Sequence, residues 1–403
     1  MERRLGTFDA VVIGLGSMIG AGIFVALGPA AAAAGSGLLF GLAGAAVVAY
    51  CNANSSARLA AVYPQSGGTY VYGRERLGDF WGYTAGWSFI VGKTASCAAM
   101  ALTVGIYASP QYAHAVAVAA VVALTAVNYA GVQKSALLTR IIVAIVLAVL
   151  AAVVVVLAGA GEAAGLSLHT DISPAGVLQA AGLMFFAFAG YARIATLGEE
   201  VRDPTRTIGR AIAIALGITL LVYTAVAVAV LSVLGGDGLA TATAPLADAV
   251  TAAGHPQLVP LVRAGAAVAA LGSLLALVLG VSRTTLAMAR DRHLPAFLAA
   301  VHPRFGGPHR AEVAVGVIVA VLAALLDVRA AIGFSSFAVL VYYAIANAAA
   351  WTLRPRRRLV PAAGLAGCLV LAFTLPVASV LAGCGVVGLG AALYAGRRFT
   401  VFR

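Results

Sequence analysis

The sequence predicts an all-α, polytopic membrane protein of about twelve transmembrane helices, and three observations carry that reading. Of 403 residues 62% are hydrophobic and only 10% are charged, too few polar side chains to cover a water-soluble fold of this size. Apolar runs near the ~20 residues that cross a hydrocarbon core recur from one end of the chain to the other. The basic residues, finally, gather at alternate ends of those runs, as they do when one membrane face is cytoplasmic.

The first span is expected over 7–33. It contains Asp9 and several glycines, with no small-residue cleavage site followed by a soluble domain, so it reads as a retained helix and not as a signal peptide. Spans follow at 36–62, 80–108, 111–130, 136–160, 175–198, 207–234, 258–290, 311–327 and 329–351. The last two, 359–375 and 377–396, are separated by reading Pro376 as a turn, because an apolar run of about 38 residues is too long for one helix at ordinary tilt. Eleven spans is the alternative count. The longest polar connections, 63–79, 159–175, 235–257 and 291–310, leave no room for a soluble domain, so 1–403 is one transmembrane unit.

A formal net charge of +12 would point to nucleic acid in a soluble protein; here it is sorted by membrane side, and no nucleic-acid partner is expected. Arg3, Arg4, Arg74, Arg76, Lys134, Arg202, Arg206, Arg290, Arg304, Arg354, Arg358 and Arg403 fall on one side. The connections at 109–112, 159–175 and 235–257 hold no Lys or Arg, and Arg329 is the exception. Both termini are therefore expected in the cytoplasm of a multi-pass cell-membrane protein, which needs an even number of spans and favours twelve. Cys51, Cys97, Cys368 and Cys384 lie inside expected spans without metal-ligand spacing, and read as small packing residues. No cofactor or metal is expected.

Spans one and six are each interrupted near mid-membrane, at an offset of five spans. The first interruption runs Gly14-Leu15-Gly16-Ser17-Met18-Ile19-Gly20-Ala21-Gly22-Ile23-Phe24, the second Phe185-Phe186-Ala187-Phe188-Ala189-Gly190-Tyr191. Each glycine costs about 1 kcal/mol against alanine inside a helix. Close small-residue packing is the simpler reading of the first stretch alone; a second interruption at an odd offset, which inverts the copy, favours a break in both. Unwound backbone at membrane depth is tolerated where it lines a cavity or is buried in protein. Half-helix N-termini then offer amide donors to a carboxylate, and free carbonyls accept an ammonium. A zwitterion such as an amino acid meets both demands.

Several motifs resemble the amino acid-polyamine-organocation superfamily. They are Gly16-Ser17-Met18-Ile19-Gly20-Ala21-Gly22-Ile23-Phe24, Pro64-Gln65-Ser66-Gly67-Gly68-Thr69-Tyr70, the Phe185–Gly190 stretch with Glu199-Glu200-Val201-Arg202-Asp203-Pro204, and Ser282-Arg283 through His302-Pro303-Arg304-Phe305. The resemblance covers essentially the whole chain. It implies a five-plus-five inverted-repeat (LeuT-like) fold, with repeats at 7–160 and 175–351 and two extra helices at 359–396, working by alternating access. It also implies that the carboxylate of an amino acid substrate meets the amides of Gly20, Ala21 and Gly22. The amino group would meet carbonyls near Ser17, Met18 and Ile19 and near Ala187, Phe188, Ala189 and Gly190, with Phe186 as an aromatic gate. The expected function is secondary active transport of an amino acid, coupled to protons or run as exchange. A polyamine or other organocation is the alternative cargo.

Two departures matter. An acidic residue found after the Gly-aromatic pair in many relatives is Ala192 here, followed by Arg193, and the position at which some proton-coupled relatives carry a lysine is Val146. The coupling mechanism is therefore not carried over. Lys93, half-way along span three, is a candidate proton-responsive group or a structural cation. Tyr191, Arg193, Glu199 and Glu200 are candidates for gating. His302 and His309 read as solvated loop residues. A membrane-embedded enzyme is disfavoured, since there are 14 acidic residues in all and their one cluster, Glu199, Glu200 and Asp203, is interleaved with Arg202.

Overall fold

The computed structural model describes residues 6–63, 67–131, 136–160, 172–195, 201, 203–353 and 358–401. Glu199, Glu200, Arg202, Lys134, the Pro64–Ser66 part of the second motif, most of the 159–175 connection and Arg3, Arg4, Arg354, Arg356, Arg357 and Arg403 lie outside the described residues.

Nearly all of the described chain is helical. The first expected span is filled by α1 (Thr7–Met18), α2 (Gly22–Val25) and α3 (Leu27–Ala34). Then come α4 (Leu38–Val62), a short α5 (Thr69–Leu77) and the long α6 (Asp79–Ala108), followed by α7 (Ala113–Tyr129) and α8 (Ala136–Ala160). The sixth segment holds α9 (Pro174–Phe188) and α10 (Ala192–Ala195). It is succeeded by α11 (Pro204–Thr241), a short α12 (Pro245–Ala252), α13 (Val259–Arg290), α14 (His309–Leu325) and α15 (Val328–Trp351), and by α16 (Leu359–Phe373) and α17 (Val377–Val401). Nine helical segments among the described residues are long and apolar enough to cross a membrane, and α9 and α16 are shorter apolar helices.

Two connections expected to be plain polar loops contain helices: α5 lies within 63–79 and α12 within 235–257. Glycine makes the corners that admit them. Gly78 turns α5 into α6 at φ 99°, and Gly235 kinks α11 at φ 65°, backbone angles that a Cβ disfavours. α5 buries Tyr70 and Tyr72, and α12 buries Leu246, Ala249 and Val250, so both are docked segments.

Helix contacts follow small residues. A Cβ on Gly41 of α4 would sit 2.9 Å from Ala180 Cβ on α9, one on Gly92 of α6 would sit 2.8 Å from Ala338 Cβ on α15, and one on Gly265 of α13 would sit 2.8 Å from Val149 on α8. In lipid, where apolar surface gains little by leaving its surroundings, such close backbone approach supplies the packing energy. The resulting pairs are α1 and α3 with α11, α4 with α9, α6 with α13 and with α15, α7 with α14, and α8 with α13.

Charge sorting is less clean than the loops alone imply. Arg263 lies near the start of α13, beside the 235–257 connection, with its Nε buried, a second basic residue with Arg329 on the sparsely charged side. Cys51, Cys97 and Cys368 are buried, whereas Cys384 is exposed on the helix bundle and is not a packing residue of its interior.

Candidate functional site

α1 ends at Met18 because Ile19 leaves the helix (φ −79°, ψ 67°). Gly20 N then donates to Met18 O at 2.8 Å, a tight turn in place of the regular helical bond. The helix restarts at Gly22, and Ala26 keeps right-handed angles (φ −78°, ψ −20°) that carry α2 into α3. The amides of Ala21 and Gly22 find no acceptor among the described residues. α9 ends at Phe188, and the turn beyond it is loose, with Ala189 N 3.4 Å from Phe186 O and Tyr191 N 3.5 Å from Phe188 O.

The two breaks touch. A Cβ on Gly22 would lie 2.6 Å from Ala187 Cα, and one on Gly190 would lie 2.6 Å from Met18 N and closer still to Ser17 O. Glycine is needed at both places for backbone to meet backbone. Tyr223 of α11 fastens the junction: its hydroxyl lies 2.6 Å from Met18 O and 3.1 Å from Ala187 O, sharing one proton between the two breaks. Lys93 of α6 donates from Nζ to Ala189 O at 3.1 Å, and Ser273 of α13 reaches Gly16 O at 3.5 Å while its Oγ fills the space a Gly20 side chain would occupy.

A cavity of about 280 Å³ opens at this junction, just below the ~300–1,000 Å³ of pockets for drug-sized ligands, so it suits a small solute. Ser17, Met18, Gly20, Ala21 and Gly22 form its wall on the first break and Phe186, Ala187, Ala189 and Gly190 on the second, with Lys93 of α6 and Tyr342 of α15 beside them. The cavity continues past Arg193, Arg283 and Thr284 to Gly67, Gly68 and Tyr70, the arginine-rich side. On the other side Tyr107 donates to Phe24 O at 2.8 Å, its ring edge-on to Phe24 at 5.7 Å, and α12 packs on α2.

Tyr70 is both cavity wall and anchor. Its hydroxyl donates to Asp291 Oδ2 at 2.6 Å and lies 2.9 Å from His293 Nδ1, while Arg74 Nη1 reaches the same Asp291 oxygen at 3.0 Å. Burial and the bond to the Asp291 carboxylate raise the Tyr70 phenol well above its ordinary value.

Most of the expected site residues come together here. Ile19, Phe188 and Tyr191 do not line the cavity: Phe188 packs on Tyr223 and Tyr191 on Tyr343, each pair within 5.2 Å between ring centres. Arg193 is exposed and lines the cavity. His302 and His309 are half-buried in an aromatic cluster with Tyr129 and Phe305, so they are not simply solvated. Tyr223, Ser273 and Tyr107 were not legible as site residues. The available signal is a lone tyrosine in an otherwise aliphatic run, such as Leu220-Leu221-Val222-Tyr223, whose hydroxyl has to find a partner when buried.

A bundle of apolar helices enclosing two unwound segments around a small-solute cavity defines a membrane transporter. The chain belongs to the amino acid permease family, whose sequence model matches residues 5–397. It is 72% identical to an uncharacterized transporter of Mycobacterium tuberculosis, over all of this chain and 93% of that protein. It is 26% identical to the branched-chain amino acid permease BcaP of Bacillus subtilis, over 90% of this chain and 83% of that one, and 27% identical to a methylthioribose transporter of the same organism, over 88% and 82%.

Proposed function

We propose that this chain is a secondary active transporter that moves an amino acid across the cytoplasmic membrane by alternating access. The observation that carries the proposal is the meeting of the two breaks in one cavity. Unpaired amides of Ala21 and Gly22 suit the substrate carboxylate, the more so because the restarted helix presents its positive end. Its ammonium then has the Ser17 carbonyl, which lines the cavity, since Tyr223 already holds those of Met18 and Ala187 and Lys93 holds that of Ala189.

The reading includes twelve spans in two inverted repeats, 7–160 and 175–351, with 359–396 appended and both termini cytoplasmic. Reciprocal packing supports it. Exchanging each span of one repeat for its counterpart in the other turns the α1–α11 pair into α9–α4 and the α6–α15 pair into α13–α8, and all four pairs occur. The short helices α5 and α12 follow the second span of each half. In this orientation the cavity faces the cytoplasm, and lipid surrounds the exposed apolar faces of α8, α14 and α17.

The cycle is proton-coupled or an exchange. Lys93 is where a proton would act, because loss of its charge weakens the bond that holds Ala189 and loosens the second break. A polyamine cargo fits less well, with Lys93, Arg193 and Arg283 along the cavity.

Counterflow in proteoliposomes tests the function: vesicles loaded with one unlabelled amino acid should accumulate the same labelled one. Failure with all twenty would overturn the reading. Cysteine labelling from outside whole cells should reach 243–255 and not 291–294; the reverse would overturn the orientation.

A further inference from the structure

Lys93 is 7% exposed, sits half-way along α6 and lines the cavity. Among the described residues its one hydrogen-bond partner is the Ala189 carbonyl. A carbonyl satisfies one of the three ammonium N–H groups and neutralises no charge. An ammonium withdrawn from water without a counter-charge is costly, and cationic groups at membrane depth normally face a partner or a water-filled pathway.

Among the described residues, none of the helices packed on α6 brings a carboxylate into a salt bridge with Lys93: Glu75 of α5 pairs with Arg74, and Glu312 of α14 faces Arg283. α9, α13 and α15 contain no Asp or Glu at all, α1 has only Asp9 and α6 only Asp79, both in their first turns. Asp9 is paired with Arg140. Asp291, which Tyr70 contacts, is held by Arg74. Among the described cavity-lining residues none is acidic, while Arg193 and Arg283 are further cations along the same cavity as Lys93.

We infer that the counter-charge of Lys93 is supplied by the cargo, and that the substrate is an amino acid with an anionic side chain. This rests on the amino acid reading above. With the α-carboxylate on the Ala21 and Gly22 amides at the first break, Lys93 stands at the second break, beside Ala189 and Gly190, where a side-chain carboxylate is the remaining anion. Lys93 thus acts as a specificity-determining residue: it attracts an acidic side chain, gives a neutral one nothing to pair with, and repels a basic one.

The test is counterflow of labelled L-glutamate and L-aspartate against L-leucine, L-alanine, L-arginine and spermidine, in wild type and in Lys93→Met and Lys93→Arg. Wild type should prefer the acidic pair. Removing one partner of a charge-assisted pair should weaken it by about tenfold or more for Lys93→Met, while Lys93→Arg keeps the preference. Wild-type selectivity alone is decisive even if a variant does not fold. Preference for a neutral or basic cargo overturns the inference and leaves the amino acid reading standing. An equal loss for acidic and neutral substrates in Lys93→Met also overturns it, placing Lys93 on the α-carboxylate. Counterflow of none of the amino acids overturns both.

Discussion

Between Met18 and Gly22 the chain unwinds on glycine, and the restarted helix leaves the amides of Ala21 and Gly22 without acceptors among the described residues. Beyond Phe188 it unwinds among aromatic residues, and two carbonyls at this break are already taken, Ala187 O in the last turn of α9 by Tyr223 and Ala189 O by Lys93. The first break is thus open to a ligand's negative end, whereas the second arrives partly occupied by the protein's own donors. Neighbouring helices reach both breaks, through Tyr223 and Ser273 at the first and Tyr223 and Lys93 at the second; what distinguishes the two is that a cation finishes the second while the Ala21 and Gly22 amides stay unpaired at the first. The difference teaches that two helix breaks meeting in one cavity need not be chemically equivalent, since each can be finished by whatever donor the surrounding helices bring to it.

The strongest way to break the comparison is to force the two regions apart. A Cβ at Gly22 falls 2.6 Å from Ala187 Cα, backbone that cannot rotate away, so Gly22→Leu should abolish transport and lower thermal stability together. A variant that transports normally would mean that the cavity at this junction is not the transport site. Next in size is Tyr223→Phe, which strips the shared hydroxyl from Met18 O and Ala187 O. Leaving buried carbonyls unsatisfied costs about 1–3 kcal/mol, enough to appear as a lower melting temperature in detergent and as slower exchange; an unchanged melting curve would show that the two breaks hold together without it.

How much of this was legible in advance follows from which interactions are local. Helix positions and the sites of both breaks could be read because hydropathy and glycine spacing are properties of short stretches: expected spans such as 80–108 and 329–351 agree with α6 and α15 to within a residue. α5 and α12 were not legible, since each is only two to three turns long and docks mainly on the helices that flank it, α5 on α6 and α12 on α11 and α13. Lys93 could be singled out from its depth alone, but its bond to Ala189 joins residues 96 apart in sequence, and no spacing rule announces such a contact. Tyr223 was missed for the same reason. Ile19, Phe188 and Tyr191 share the breaks with residues that do line the cavity; which residues of an unwound segment face inward depends on local backbone angles that composition does not encode.

A smaller effect is expected where the first break meets a side chain and not backbone. Gly20 faces Ser273 Oγ, the end of a short side chain, so Gly20→Ala should weaken substrate exchange in part, and adding Ser273→Gly should restore it by vacating the space. Failure of the double variant to recover would mean that Gly20 is needed for its backbone angles and not for room.

The smallest change in basal exchange, and the sharpest separation of roles, is expected from Lys93→Arg. Arginine keeps a cation beside Ala189 O and still pairs with an anionic group, but it does not lose its proton in a protein. If Lys93 serves only to hold the second break and the cargo, Lys93→Arg exchanges substrate and responds to an imposed pH gradient as wild type does. If proton release from Lys93 also loosens that break, the variant exchanges substrate but its net uptake no longer follows the gradient. The proton-coupled form of the proposal requires the second result, measured as uptake in proteoliposomes with and without an inward proton gradient. The first result would assign Lys93 to binding alone and place any proton coupling on another group, and the two breaks would then differ in what they bind without differing in how they are driven.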